Sequence, residues 1–512
     1  MKIRRPACFV LVGFLLLHLP VFAQVDLEKL DAYFARARDD WKVPGMAIAI
    51  VKDDRVVFAK GYGVRELGKP AKVDENTLFA IASNTKAFTA AALAVLVDEQ
   101  KISWDDRVQT HLPYFELYDS YVSHDFRIRD LLCHRSGLRT FGGDLIWYGT
   151  PYGREEIVRR ARFLKQAFPF RSGYGYSNIM FIAAGEVVEK ASGKSWEDFI
   201  RQRLLIPLGM KRTVLSVKEL AGMENVATPH ADPDGELRTF PWRGWDNTVP
   251  AGGIISSVAD LAQWLRLQLG RGTLEGKPVF SERQSRVMWT PHVSFVSTKR
   301  SEERNPYVRL SGYGLGWQLS AYRGVMMAQH GGAYDGMVSQ TALLPDRQVG
   351  VVVLTNSTTG LASALVYRTL DAYLGSEDVD WSNEELKRSR EDRRRKIEEQ
   401  ERAASRRVLN TRPSLKLESY AGTYGGLMYG DAEVKVENGN LVLVFLPNRE
   451  LTGDLTHWHF DTFEVKWRTA FPWFGKGKVQ FLLDSIGQVV EMKVDVPNED
   501  FWFDELEFKK KR

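Results

Sequence analysis

The sequence predicts an α+β domain, an antiparallel sheet flanked by helices with a large helical insert, followed by a separate all-β barrel-like domain. Three features carry this. Strand-like runs stand at both ends of a long helical stretch, so one sheet must be built from the two ends of the first domain. A densely charged segment of mixed sign interrupts the chain near residue 390. Beyond Pro413 the pattern changes to alternation with a period of two.

Taken in order, Gly45 to Lys52 and Val56 to Tyr62 are apolar, extended runs around Asp53-Asp54-Arg55, which reads as a β-hairpin. Phe79 to Ser83 leads into Lys86 to Asp98, an Ala- and Leu-rich stretch of helical composition. Ile128 to Trp196 is predicted to be mostly helical, with Ser136-Gly137 and Ser192-Gly193 as breakers. Ser256-Ser257 has the chemistry of a cap for a helix starting at Val258. Four β-like runs follow: Tyr313 to Ser320, Gly324 to Gln329, Met337 to Leu344 and Val349 to Thr355. Thr358 to Leu374 closes the domain as a helix. Asn383 to Arg407 reads as a solvated helical linker with ion pairs one turn apart. Glu398, Glu399 and Glu401 neutralise its basic run, which argues against phosphate binding. Short strands around the Asn438-Gly439 turn, then Phe463 to Trp467, Lys478 to Leu483, Val489 to Val496 and Phe501 to Phe508, suggest a small antiparallel barrel or sandwich.

The organisation expected is therefore a signal peptide over 1–23, a first domain over 24–375, a charged linker over 376–412 and a barrel over 413–512. Lys2, Arg4 and Arg5, an apolar run from Ala7 to about Pro20 and small residues before Gln24 describe an export signal cleaved after Ala23. The run is short for a bilayer span of about 20 apolar residues, so a secreted or periplasmic protein with no stable membrane span is expected. Removing the three basic residues takes the formal charge from +5 to +2, which points to neither nucleic acid nor an anionic surface. Of the two cysteines, Cys8 lies inside the signal and leaves Cys133 alone, so no intrachain disulfide can form. His457-Trp458-His459 places two imidazoles on one strand face but lacks a third ligand, so neither a metal nor another cofactor is expected.

Chemistry concentrates in three places. Ser83-Asn84-Thr85-Lys86 is the only Ser-x-x-Lys of the chain, and at a helix start positions i and i+3 share a face, so the hydroxyl and amine can meet. A lysine that is partly desolvated near a helix N-terminus has a lowered pKa and can take the serine proton. Tyr176-Ser177-Asn178 precedes an apolar helix. A phenol beside an ammonium can act as base or relay, and the Asn amide can fix a carbonyl. His330-Gly331-Gly332 follows the run Gly324 to Gln329, where two glycines let a substrate backbone approach and free N–H groups can stabilise an oxyanion. Trp147, Tyr148, Trp242 and Trp245 flank these segments and are candidates for cleft walls. No Gly-x-Ser-x-Gly elbow is present, which argues against an α/β-hydrolase.

In this order the three motifs resemble those of the serine β-lactamase-like superfamily: class C β-lactamases, D-aminopeptidases, penicillin-binding proteins and related esterases. His134-Arg135-Ser136-Gly137-Leu138, Ala251-Gly252-Gly253-Ile254 and Tyr313-Gly314-Leu315-Gly316-Trp317 are similar too. The resemblance covers roughly residues 28 to 375, and residues 413 to 512 look like the lipocalin-like barrel that some members carry. It implies Ser83 as nucleophile, Lys86 as proton acceptor, Tyr176 as relay, Asn178 as orienter of the acyl side, and the N–H groups of Ser83 and Ala333 as oxyanion hole. Whether Lys86 or Tyr176 is the base stays open. Where β-lactamases carry Lys-Thr-Gly, this chain carries His330-Gly331-Gly332, and the permanent charge for a substrate carboxylate is weakened. The expectation is an exported D-aminopeptidase- or esterase-like serine hydrolase of a small peptide, amide or ester. A D-Ala-D-Ala carboxypeptidase or β-lactamase is one alternative, and a catalytically silent binding or scaffold protein another. The barrel could serve for homo-oligomerisation.

Overall fold

The computed structural model describes residues 25–233, 235–376 and 379–511. The expected export segment lies outside them. Among the described residues no helix is long and apolar enough to cross a membrane.

The first domain is built on one eight-stranded antiparallel sheet. Its strands are β1 (Gly45–Lys52), β2 (Arg55–Gly63), β3 (Val293–Ser294), β4 (Val308–Tyr313), β5 (Gln318–Tyr322), β6 (Val325–Tyr334), β7 (Met337–Leu344) and β8 (Val349–Thr355). The order β2-β1-β8-β7-β6-β5-β4-β3 joins the N-terminal hairpin to the C-terminal strands through β1 and β8, with Met46 opposite Thr355. Alternation along β1 sends Met46, Ile48 and Ile50 to one face and Ala47, Ala49 and Val51 to the other. Both faces are buried, because α1 (Leu27–Asp40) and the Leu361–Leu374 helix cover the first and the helical insert the second.

The insert is centred on α2 (Thr85–Asp98), whose residues Thr85 to Leu96 are all buried. A helix apolar all round belongs in an interior. Phe88 stacks on Trp264, centroids 3.8 Å apart, which locks α2 to the helix α4 (Val258–Leu269). Ser257 caps α4 as its sequence suggests, accepting from the Asp260 N–H. Against α2 packs α3 (Asn178–Ser192), capped by Ser177 and stopped by Gly193 in the left-handed region.

Four expectations are corrected. Ile128 to Trp196 is only partly helical: residues 164–177 form an irregular loop whose N–H groups donate to the carbonyls of His134, Arg135 and Gly137. Tyr313 to Ser320 is not one strand: Tyr313 ends β4, Gln318 to Ser320 begin β5, and Gly316, at φ +76, lies in the turn that joins them. The His330-Gly331-Gly332 segment does not follow a strand but lies within β6, paired to Gln340, Ser339 and their neighbours on β7. Phe501 to Phe508 is largely a loop with a 3-10 turn at Phe503–Glu505, and only Phe508–Lys510 pairs.

After α5 (Leu361–Leu374) comes α6 (Trp381–Ser405), the charged helix, with Glu398 paired to Arg394 and Arg402. The chain then closes an eight-stranded barrel of β9 (Gly422–Gly426), β10 (Gly430–Glu437), β11 (Asn440–Phe445), β12 (Thr452–His459), β13 (Thr462–Trp467), β14 (Gly477–Leu483), β15 (Val489–Asp495) and β16 (Phe508–Lys510). Eight strands leave room for side chains and little else. The interior is filled by aromatic rings, with Tyr420, Phe463 and Phe481 within 5.0–5.7 Å of one another and Phe445 5.4 Å from Phe508.

Candidate active site

Ser83 sits in a single 3-10 turn, Ala82–Asn84, between the short strand Phe79–Ala80 and α2. Ala82 is held at φ +46, a conformation that a residue with a Cβ adopts at a cost. The turn is pressed against β6. A Cβ placed on Gly332 would stand 2.8 Å from the Ser83 nitrogen and 2.4 Å from the Ile81 carbonyl oxygen, so only glycine lets the strand come this close. Asn84 donates to the Ser339 hydroxyl at 2.8 Å, and Ser339 donates to the Ile81 carbonyl at 2.6 Å, tying the turn to β7.

One turn on, the Lys86 side chain is wholly buried. Its Nζ lies 3.1 Å from Ser83 Oγ, 2.7 Å from Asn178 Oδ1 and 2.8 Å from the Ala251 carbonyl oxygen. Burial pushes its pKa well below the ordinary lysine value, opposed by the charge of Asp144. A neutral amine has two hydrogens and one lone pair. Asn178 and Ala251 are acceptors only at these atoms, so they take the two hydrogens and leave the lone pair facing the Ser83 hydroxyl.

The Tyr176 ring lies over the Lys86 amine, 4.6 Å from nitrogen to centroid, and stacks on His134 at 4.1 Å. Its backbone is fixed at both ends: N–H to Thr140 Oγ1 at 3.1 Å, carbonyl from the Phe141 N–H at 2.7 Å. Burial raises the phenol pKa well above its usual value, with a hydrogen bond to Ser83 working the other way. His134 is buried and neutral: its Nδ1 accepts from the Ser177 N–H at 3.0 Å, and burial lowers its pKa. Asn178, the first residue of α3, donates to Asp144 Oδ2 at 2.6 Å. Asp144 is buried, its Oδ1 has no hydrogen-bond partner, and burial pushes its pKa up to about 8.

His330 is also buried. Its Nδ1 donates to the Gly331 carbonyl at 2.6 Å, so its Nε2 accepts from the Tyr313 hydroxyl at 2.7 Å. Burial, reinforced by Lys86, brings its pKa down to about 3. The imidazole is neutral throughout the physiological range.

Around Ser83 opens a cleft of about 350 Å³. The structure brings Ser83, Tyr176, Asn178, His330, Gly331, Gly332 and Ala333 to its lining, with Lys86 buried behind Ser83. Of the flanking aromatics, Trp147 and Trp245 line it, Tyr148 lies behind them, and Trp242 stands apart, donating to the Ala227 carbonyl. Sequence reasoning missed Asp144, Asp335 and the barrel residues Trp473, Asp500 and Phe501. Asp335, one residue beyond β6, collects Tyr148 OH at 2.6 Å, Trp473 Nε1 at 2.9 Å and Trp245 Nε1 at 3.1 Å. It thereby ties the barrel to the cleft. Further ties are Trp502 Nε1 to the Thr140 carbonyl at 2.7 Å, the Gly143 N–H to Glu505 at 2.8 Å, and Asn448 to the Tyr148 carbonyl at 3.1 Å. No local pattern marks these residues in the sequence. The isolated surface imidazoles His457 and His459 bond the Phe460 carbonyl and the Val408 N–H, and no group of three metal-ligating side chains exists among the described residues.

Residues 30–375 match the Beta-lactamase family. The chain belongs to that family. A second match, a domain of unknown function (DUF3471), covers residues 406–510. Among the relatives of this β-lactamase-family chain is the "Unguisins hydrolase ungD" of Aspergillus violaceofuscus, 33% identical over 389 residues, which span 70% of this chain and 68% of that protein. Penicillin-binding protein 4 of Amycolatopsis lactamdurans is 29% identical over 339 residues, 64% of this chain and 84% of that one. The octameric penicillin-binding protein homologue from Pyrococcus abyssi shares the fold, with a TM-score of 0.63 and 23% identity over 95% of this chain and all of that one. The β-lactamase-family domain is thus that of a serine hydrolase, followed by a closed all-β barrel.

Proposed function

We propose that the chain is an exported serine hydrolase that cleaves a peptide, amide or ester bond through an acyl-enzyme on Ser83, in the manner of D-aminopeptidases and esterases. One observation carries this: the wholly buried Lys86 amine, whose pKa burial lowers, stands 3.1 Å from the Ser83 hydroxyl and is held there by Asn178 Oδ1 and the Ala251 carbonyl. Lys86 takes the hydroxyl proton as Ser83 Oγ attacks the carbonyl carbon. The N–H groups of Ser83 and Ala333 hold the resulting oxyanion. On collapse the bond to the leaving group breaks, and the proton passes by way of Tyr176 to that group. Water then attacks the ester carbonyl by the same route, returning the proton to Ser83.

The neutral His330 supplies no fixed cation for a substrate carboxylate, which disfavours penicillins relative to neutral acyl substrates. The aromatic filling of the barrel speaks against a scaffold whose working part is a ligand-carrying lumen. Export rests on the basic and apolar N-terminus. Homo-oligomerisation is in keeping with the octameric description of the Pyrococcus abyssi homologue.

Intact mass after incubation with a fluorophosphonate or a labelled penicillin tests the reading. An adduct is expected that Ser83→Ala abolishes, and an adduct that persists in Ser83→Ala refutes the assignment. Nitrocefin, p-nitrophenyl acetate and D-Ala-D-Ala peptides, run side by side, then separate esterase, lactamase and carboxypeptidase.

A further inference from the structure

The phenol that serves the reaction is carried by a stretch of chain with no regular structure. Tyr176 lies near the end of the irregular loop 164–177, so neither a helix nor a sheet ladder sets its position. Besides the Thr140 and Phe141 bonds to its own backbone, it is held by three contacts from His134. The His134 carbonyl accepts the Gly175 N–H at 2.8 Å, and Nδ1 accepts the Ser177 N–H at 3.0 Å. The imidazole stacks on the Tyr176 ring, 4.1 Å between centroids and 30° from parallel. One residue thus grips both chain neighbours of Tyr176 and the face of its ring. A Cβ on Gly175 would stand 1.8 Å from the Leu138 carbonyl oxygen, so the loop can lie this close only with glycine there.

Histidine is a costly choice for packing alone at this place. Its backbone stands at φ +60, a region uncommon for residues with a Cβ. Because Nδ1 accepts, the ring proton sits on Nε2, and among the described residues that buried N–H has no hydrogen-bond partner. A phenylalanine would fill the space without an orphaned donor. What histidine supplies and phenylalanine lacks is the acceptor for Ser177. That bond matters for position: the Tyr176 hydroxyl must stay within reach of Ser83 and of the leaving atom together, and a misplacement of about 1 Å can cost about a hundredfold in rate.

We propose that His134 is the positioning residue of the Tyr176 relay: through its Nδ1, its carbonyl and its ring it aims the phenol so that a proton reaches the leaving group. This rests on the Ser83 acyl-enzyme reading above, with Tyr176 as its relay. As the bond from the acyl carbon to the leaving atom breaks, its electron pair stays on that atom, which takes the Tyr176 proton. Tyr176 regains a proton from Lys86, which had received it from Ser83.

The test uses p-nitrophenyl, phenyl and trifluoroethyl acetate on the full chain. All three form the same acetyl-enzyme, so their kcat/KM values differ through acylation, the step in which the alcohol departs. p-Nitrophenolate leaves without a proton, whereas trifluoroethanol needs one. We expect His134→Phe, which keeps a stacking ring and loses the acceptor, to lower kcat/KM roughly a hundredfold on the trifluoroethyl ester and about twofold at most on the p-nitrophenyl ester. His134→Asn keeps an acceptor at the Nδ1 position and tolerates positive φ. It should lose only about tenfold on the trifluoroethyl ester and about twofold at most on the p-nitrophenyl ester, and it carries the test if His134→Phe does not fold. Tyr176→Phe should show the same leaving-group dependence, and adding His134→Phe to it should change the three rates by about twofold at most. A uniform loss on all three esters in the His134 variants, or an equal further loss in the Tyr176→Phe background, overturns the proposal alone, provided Ser83 still reacts with fluorophosphonate. Absence of leaving-group dependence in Tyr176→Phe overturns the relay and the proposal with it. Failure of Ser83 to label overturns the acyl-enzyme reading as well.

Discussion

Replacing Asp335 by alanine removes the acceptor on which three donors from two domains converge. The carboxylate is 1% exposed and receives Tyr148 OH, Trp473 Nε1 and Trp245 Nε1 at 2.6–3.1 Å, with the Arg243 guanidinium 3.9 Å away. Hydrogen bonds to a charged acceptor are worth about 1.5–3 kcal/mol each, but this carboxylate also bears a desolvation cost, seen in its raised pKa. Setting one against the other gives a net loss of about 3–5 kcal/mol, the range for leaving buried partners uncompensated. The melting temperature falls by roughly 2–4 °C per kcal/mol in units of about 150–250 residues and by less in a larger one such as this, so a drop of about 5–10 °C is expected. Asp335→Asn keeps one acceptor oxygen and should lose about 1–2 kcal/mol. Because Trp473 belongs to the barrel, Asp335→Ala should also increase acrylamide quenching of tryptophan fluorescence and lower kcat/KM, while Ser83 still reacts with fluorophosphonate. A variant that melts like the wild type with unchanged quenching would refute the idea that this carboxylate seats the barrel on the cleft.

Lys86→Met should lower kcat by about 10²–10⁴, the usual contribution of a positioned base. In the wild type the rate should fall as pH drops through the lysine pKa, with the acidic limb well below the ordinary lysine value of 10.5; a limb near 10 in the pH–rate profile would contradict a desolvated base. For Asp144 the folded pKa of about 8 lies above the ordinary 3.8. Its stabilising protonation is complete below about pH 4 and is lost as pH rises through 8. Asp144→Asn should therefore match the wild type in urea titrations at pH 4 and exceed it by a few kcal/mol at pH 8, and parallel stability curves would argue against a buried, protonated carboxyl.

How much of this was legible in the sequence follows from how local each signal is. Ser83 and Lys86 are neighbours on one helical turn, so their meeting needs only helix geometry. The antiparallel sheet was legible because β1 and β8 carry nearly uninterrupted apolar runs. Tyr313 to Ser320 was misread as one strand because its aromatic residues, which elsewhere signal a strand, here pack inward around Gly316. Phe501 to Phe508 misled for a related reason: Phe501 serves the cleft and Phe503 the barrel interior, an alternation produced by two destinations rather than by a pleat. Asp144, Asp335 and Asp500 were invisible. Each is a single acid whose environment is assembled by other segments of the chain, Asn178 for Asp144 and Tyr148, Trp245 and Trp473 for Asp335, and periodicity holds no information about such encounters.

The solid interior of the barrel has a consequence for how this hydrolase could change its diet. A domain with no lumen to maintain is free to vary its surface loops, and the turns carrying Trp473 and Asp500 sit opposite the reactive serine without belonging to the sheet that activates it. The loops that wall the cleft and the residues that activate the serine are thereby housed in different domains of the same chain. Exchange of two short loops would retune the first and leave the second intact.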